Sequence, residues 1–436
     1  MWLSQAELDT NTLIPYLNER VDPIVRGTAA SLILRRGNPY EKAEATNTLE
    51  KMLSSQRERD RTIGIKALKE VDYLPIFAKR YLSELLQDES ARVRCALLEM
   101  IGAKHLEKYY PSLVKGLYYR STREAARNAL VSLGDEGTTI LAELTGDIRK
   151  PDMVRLQGWN ALAQVATPKA LNQLVQQLMS NWGTNRRSIL RILLKIPSDR
   201  GIEAVLEQLG RSGVETMIKQ ELLLLGQVYS ASLDFNSELV TGREADLLRA
   251  ALNDLQSDII DRCFLLMKLL YPFSAIQAAM FNLNSDSQAN IALGLEILDN
   301  TLDIPTKGVF LELLDRGTTE SKLAALESLV VYQPLTPPER LRHLVDFRHF
   351  LSDWSLACCF YLARQAHWSI SKEATLVCLR HPSAFVREAV LVYLREASPR
   401  TCSELLSVLK NDPNPLVAAQ VQQIIGEIGH PTAYKP

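Results

Sequence analysis

Gln87-Asp88-Glu89-Ser90-Ala91-Arg92-Val93-Arg94-Cys95-Ala96-Leu97-Leu98-Glu99-Met100-Ile101-Gly102 joins a polar turn rich in helix-capping residues to an apolar stretch with helical spacing. Upstream, Pro75 to Leu86 predicts an amphipathic helix with Ile76, Phe77, Leu82, Leu85 and Leu86 on one stripe. Arg92 to Ile101 predicts a second helix, with Gly102 just past its end. The Val93-Arg94 pair that opens this second helix recurs. Val25-Arg26 precedes Ala29, Val154-Arg155 leads to Trp159-Asn160-Ala161-Leu162, and Val386-Arg387 leads to Ala389-Val390. Asp60-Arg61, Thr122-Arg123 and Asn185-Arg186 fill the same slot, and Ala289-Asn290, Ser321-Lys322 and Leu416-Val417 fall within a residue of it. Positions 25, 60, 93, 122, 154 and 185 are spaced by 35, 33, 29, 32 and 31 residues, and 386 and 417 by 31. A fixed period of that size marks stacked supersecondary units, each unable to bury its apolar face alone. Nothing alternates with period two for long, so no sheet is predicted.

Stacking removes the need to split 436 residues into globular domains, because no single core limits the size. Charged residues at 23% and aromatics at 7% fit a continuous helical core under a solvated shell. A formal net charge of −1 gives no global field to recruit a polyanion or an anionic membrane, so no nucleic-acid partner is expected. Cys95, Cys263, Cys358, Cys359, Cys378 and Cys402 show no CxxC spacing and sit mostly in apolar helical stretches, which suits a reducing compartment. The start, Met1-Trp2-Leu3-Ser4-Gln5-Ala6-Glu7, does not read as a signal peptide. The most apolar run, Phe264 to Phe273, is interrupted by Lys268 and Pro272 and is too short to span a bilayer. A soluble, cytoplasmic chain is expected.

The expected organisation is an N-terminal array over 1–229, an irregular insert at 230–250, and a C-terminal array over 251–436 continuous with the first. Between the anchors near Ile218 and Ile260 the spacing is about 42, roughly ten residues beyond the repeat period. Ser230-Ala231-Ser232-Leu233-Asp234-Phe235-Asn236-Ser237 reads as the loop that holds the excess. Gln333-Pro334-Leu335-Thr336-Pro337-Pro338-Glu339 is a second irregular connection. The last unit repeats the grammar of the third: Cys402 to Leu409, then Asn411-Asp412-Pro413-Asn414-Pro415, then Leu416 to Ile425 and Gly426. Beginning on a first helix with no polar capping repeat, the chain is compatible with excision from a larger polypeptide.

Asp88 before Val93-Arg94, and Asp412 before Val417, give these helical pairs a pattern that resembles the HEAT repeat. The resemblance implies an all-α fold, a right-handed α-solenoid of about 12–13 helical hairpins. It also implies that the Asp caps the second helix, that the Arg reaches the neighbouring repeat's turn, and that the small residue lets helices approach closely. The pattern is worn in places: Val417 is followed by Ala418. Leu265-Leu266-Met267-Lys268-Leu269-Leu270-Tyr271-Pro272, Ile276-Gln277-Ala278-Ala279 and Ala292 to Asn300 are similar to the soluble HEAT region of bacterial major-facilitator or ATP/ADP-translocase-like transporters. Asp22 to Ala30 and Arg35-Arg36-Gly37-Asn38-Pro39 fit the same group. The transporter helices themselves are absent, so the implied place is the cytosolic face of a membrane, reached through a partner or a transporter module. On repeat type alone, the chain also resembles the HEAT-like phycobilin lyases of cyanobacteria.

Six of the 14 tyrosines fall between 73 and 119, with Lys108, Lys115, Arg120 and Arg123 interleaved. Tyrosine and arginine bury large area while keeping a polar tip, so Tyr109, Tyr110, Tyr118, Tyr119, Arg120 and Arg123 are candidate contacts for a protein partner, the alternative being packing between repeats. Arg186 and Arg187 with Arg191, and Arg340, Arg342 and Arg348, would line a groove that reads acidic groups, or form a solvated face. Cys358 and Cys359 point about 100° apart on a helix and read as core. His343 and His349 are six apart, and with His367 and His381 they read as surface or helix-end residues without metal-ligand spacing. Asp254, Asp258 and Asp261 suggest caps or charge patterning. No phosphate loop, dinucleotide fingerprint or nucleophile set is present by spacing, so neither cofactor nor catalysis is expected. The expected function is a non-catalytic scaffold or regulatory module that binds a protein partner through an extended concave surface. A chromophore-handling protein is the rival.

Overall fold

A computed structural model describes residues 9–412 and 414–429; the expectations for Met1 to Glu7 and for Pro413 lie outside the described residues. The described residues contain no β-strand. They divide into two compact units, residues 9–147 with 153–173, and residues 148–152 with 174–412 and 414–429.

In the first unit, a 3-10 segment (Thr10–Leu17) precedes α1 (Pro23–Arg36), α2 (Pro39–Leu53), α3 (Glu58–Glu70), α4 (Ala78–Leu85), α5 (Ala91–Ala103), α6 (Tyr110–Gly116), α7 (Arg123–Ser132), α8 (Asp135–Gly146) and α9 (Asp152–Val165). The recurrent anchor opens α1, α3, α5, α7 and α9. Helices α1, α3, α5 and α7 lie successively side by side, and α4 and α6 pack on the second helices of their own hairpins. Val93, Leu97, Met100 and Ile101 of α5 are fully enclosed, each burial worth roughly 1.5–3 kcal/mol. Gly102 is not the stop signal it resembles: α5 runs through it to Ala103. A Cβ there would lie 2.7 Å from the Ala129 carbonyl oxygen, so Gly102 is where α5 and α7 meet backbone to backbone. The left-handed residue that ends α5 is His105, at φ 49°, and the Leu106 amide closes the turn on the Ile101 carbonyl. Helix α4 begins three residues later than expected. Ile76 is exposed, and after Pro75 the chain turns through three-residue bonds before the α-helix starts.

The implied ladder of arginines is present, but the aspartate is not the cap: Ser90 caps α5 by accepting the Arg92 amide at 3.2 Å, and Asp88 stands two residues earlier in the turn. Asp88 accepts the Ser90 amide at 2.8 Å and receives Arg61 from the preceding hairpin, Nε at 2.6 Å and Nη2 at 3.0 Å. Arg26 reaches Asp60 at 2.6 Å, and Arg155 donates to the Thr145 carbonyl at 3.0 Å. Each arginine thus satisfies a turn that the helices leave open.

The boundary between the units falls within α10 (Pro168–Ser180). The second unit continues with α11 (Gly183–Leu193), α12 (Arg200–Asp234, broken at Gly210), α13 (Arg243–Met267), α14 (Phe273–Leu283), α15 (Gln288–Thr301), α16 (Lys307–Leu314), α17 (Thr319–Ala325), α18 (Pro337–Asp346), α19 (Asp353–Gln365), α20 (Lys372–Cys378), α21 (Ala384–Ala397), α22 (Pro399–Leu409) and α23 (Pro415–Gly429). The last helix runs past Gly426.

Two expectations change here. The stretch read as a loop, Ser230 to Ser237, is helical through Asp234. The hydroxyls of Ser230 and Ser232 bond the carbonyls of Gly226 and Val228, and Ala231 is enclosed, so the small polar residues serve packing. The stack is also not uninterrupted. Helix α13 packs directly on α19, and α14 to α17 pack successively on one another, returning to α12 through α17. With no glycine or proline between 243 and 267, α13 grows to 25 residues and packs on α11 and α12 as well as α19. Its start pairs with α19 in antiparallel sense, through Glu244 with Arg364 and the Ala251 carbonyl with Ser355. Its second half takes Arg187 of α11. Parallel stacking resumes at α19 and α21, where Trp354 meets Phe385 and Phe360 meets Tyr393.

Candidate partner-binding surfaces

Of the eight residues singled out from the sequence, three form an exposed group. Tyr118, Tyr119 and Arg120 stand on the turn between α6 and α7. Tyr119 walls a cavity of about 230 Å³ that Leu86, Gln87, Arg94, Lys115 and Thr122 also line. Thr122 closes its own turn by bonding the Gly116 carbonyl at 2.9 Å.

The other five serve the fold. Arg123 donates to the Leu117 carbonyl at 3.0 Å and satisfies the end of α6. Tyr109 is half-buried beside Lys108. Tyr110 donates to Glu136 at 2.8 Å, and its burial, with that bond, raises its phenol well above the usual range. Arg186 is enclosed between the Asn181 carbonyl, Glu221 and the Trp182 ring, so it has no face for a partner. Arg187 is held by Asp258 and Asp261, the latter at 2.7 Å. The expected acid-reading groove dissolves in the same way for Arg340, which is buried against Asp234. These arginines read as free cations in the sequence because their carboxylates lie 35, 71, 74 and 106 residues away.

Two expectations of bland roles stand. Cys358 and Cys359 are enclosed; burial pushes the Cys358 thiol up to about 12 and Cys359 higher still. His367 takes a left-handed conformation at φ 54° and ends α19, with the Trp368 amide bonded to the Ala363 carbonyl, as His105 ends α5.

A second surface was missed. Trp354, Phe385 and Leu416 occupy the position just before the anchor on α19, α21 and α23, spaced by 31 residues each. They are 39%, 40% and 78% exposed. The Trp354 and Phe385 rings stack at 5.2 Å and 25°, and Tyr361 meets Phe385 edge-on at 6.5 Å. The same position in the first unit carries Ile24, Arg59, Arg92, Ser121 and Met153, so exposed apolar residues recur there singly, and only on α19, α21 and α23 do they fall on three successive anchor helices, two of them as stacked aromatic rings. The signal lay in the period itself: three large apolar residues at one repeat position outside the core stripe. Glu388, one turn beyond Phe385, accepts the Tyr361 hydroxyl and the Gln420 amide, the latter at 3.3 Å.

The fold and these two surfaces define a helical-repeat protein with exposed side chains of interface type. No protein-family description matches the chain, and no curated protein does. Similar solved structures include the crystal structure of an engineered protein, 17% identical, covering 97% of this chain and 99% of that one with a TM-score of 0.25. A homology model of the full-length AP-3 complex in an intermediate open conformation is 12% identical over 98% of this chain and 92% of that one, with a TM-score of 0.33. The karyopherin Kap121p, bound to the extreme C-terminus of the protein phosphatase Cdc14p, is 15% identical with a TM-score of 0.37; the match takes in 97% of this chain and 50% of that one. Likenesses this distant bear on neither function nor partner.

Proposed function

We propose that this chain is a non-catalytic helical-repeat scaffold that binds a protein partner through the Trp354, Phe385 and Leu416 row on α19, α21 and α23. One observation carries the reading. Two aromatic rings that stack on each other and a leucine stand partly exposed at equivalent repeat positions, and burial of the apolar surface they leave in water would stabilise a complex. The turn surface of Tyr118, Tyr119 and Arg120 is a further contact on the first unit.

The natural context that the sequence resemblance supports is cytoplasmic, beside a bacterial membrane transport system. No helix among the described residues is long and apolar enough to cross a membrane, so attachment would run through a partner or a transporter module.

The test is comparative affinity capture from the source organism. The intact chain, Trp354→Ala with Phe385→Ala, and Tyr119→Ala with Arg120→Ala are immobilised in parallel, and retained proteins are quantified. A protein held by the wild type and depleted about tenfold or more by the aromatic double variant is expected. Identical retention on all three surfaces would refute the reading.

A further inference from the structure

Resting on that reading, we propose that the row takes an arginine-bearing, apolar-flanked segment of a protein partner, with the guanidinium laid on Trp354 and Phe385 between the carboxylates of Asp353 and Glu388.

The charge around the row supports this choice. Glu388 is half-buried one turn beyond Phe385, and among the described residues its oxygens meet a tyrosine hydroxyl and a glutamine amide. No lysine or arginine among the described residues lies within ion-pair distance of it. Asp353 directly precedes Trp354, and its ionisable partner within 4.0 Å among the described residues is the His381 imidazole, through Nε2. Burial lowers the pKa of that imidazole, against the pull of Asp353 and Asp152, so at neutral pH it leaves the aspartate without a cation. The basic groups nearest in sequence are engaged. Arg387 holds Asp412 through two bonds, at 2.8 and 2.7 Å, and Arg364 lies between Glu244 and Glu396. Asp60, Asp88, Asp234 and Asp412 take arginines from other hairpins, whereas these two carboxylates flank an exposed aromatic stack with no arginine within ion-pair distance among the described residues.

That combination has a recognisable complement. A cation over the face of a tryptophan is drawn to its ring quadrupole, and a planar guanidinium adds stacking and a donor fork that fits a carboxylate. Leu416, on the next helix, gives an apolar residue of the same segment a place to lie. An acidic or uncharged segment would leave both carboxylates facing no counter-charge, which disfavours it.

The probe is a fluorescein-labelled Leu-Arg-Phe-Arg-Leu peptide, with a Leu-Glu-Phe-Glu-Leu counterpart, titrated against the full chain by fluorescence polarisation. The arginine peptide is expected to bind. The Asp353→Asn/Glu388→Gln variant should bind it about tenfold more weakly, and the glutamate peptide should bind the wild type at least tenfold more weakly. Thermal melting confirms that each variant is folded. The Trp354→Ala/Phe385→Ala variant separates the two layers of the claim. Binding that needs the rings but ignores Asp353, Glu388 and the peptide's charge overturns the cation preference and leaves the apolar row standing. Binding indifferent to the rings as well, or no binding of the arginine peptide at millimolar protein, overturns both.

Discussion

Asp234 and Arg340, 106 residues apart, form a buried ion pair, Arg340 Nε to Asp234 Oδ2 at 2.6 Å. Asp234 also accepts the Tyr332 hydroxyl at 2.7 Å and the Leu335 amide at 3.3 Å. The two places where the repeat register breaks are therefore one feature. The end of α12 and the proline-rich connection before α18 are stitched together on a single carboxylate, across the excursion of α14 to α17.

Asp234→Ala leaves Arg340 enclosed without a counter-charge, and the expected loss is about 3–5 kcal/mol of unfolding free energy. Urea titration followed by circular dichroism measures it. A change below about 1 kcal/mol, the level of a surface pair, would show that the stitch does not hold the fold.

Arg186, Glu221 and Arg262 form a second buried group, with Glu221 taking Arg186 Nη1 and Arg262 Nε, each at 2.9 Å. Two guanidinium groups share one carboxylate, and the terminal nitrogens of Arg262 have no hydrogen-bond partner. Glu221→Gln should cost about 3–5 kcal/mol because it strands both cations. Arg262→Met removes the excess charge and the unpartnered donors, so it is expected to be neutral or stabilising. Opposite responses of the two variants in the same denaturation series are the expected result; equal losses would mean that Arg262 contributes as much as the carboxylate.

Asp88 makes the repeat ladder pH-dependent. Burial alone would raise its pKa, but the Arg61 hydrogen bond, the Ser90 amide and the nearby charges of Arg61 and Arg94 together bring it below the ordinary carboxylate value. A depressed folded-state pKa contributes stability above the unfolded value of about 3.9 and loses it as pH falls through the folded value. Asp88→Asn should therefore cost about 1.5–3 kcal/mol at pH 7, with the gap to wild type narrowing below about pH 4. Melting temperatures of both proteins across that range check the sign. A gap that widens in acid would contradict the pairing.

What was legible in the sequence was local. The Asp-to-Arg spacing located the turn before α5, although Ser90 and not Asp88 is its cap, and the anchor at 25, 60, 93 and 122 fell at the starts of α1, α3, α5 and α7. Even within the excursion, Ala289-Asn290 and Ser321-Lys322 mark the starts of α15 and α17 correctly. The order of stacking was not legible, because the hairpins of α14 to α17 bury their stripes on one another and on α12 as readily as in a ladder. Side-chain function was legible only where the partner was near in sequence. Arg186 and Arg340 looked free until distant carboxylates met them, and Trp354 and Phe385, which the sequence reading did not single out, are 39% and 40% exposed in the fold.

Hydrogen exchange of the chain, alone and in complex with the partner recovered by capture, tests the central claim most directly. The account predicts slowed exchange in peptides covering the first turns of α19, α21 and α23, around Trp354, Phe385 and Leu416. Protection confined to α14 to α17, or to the first unit, with those turns unchanged, would contradict it.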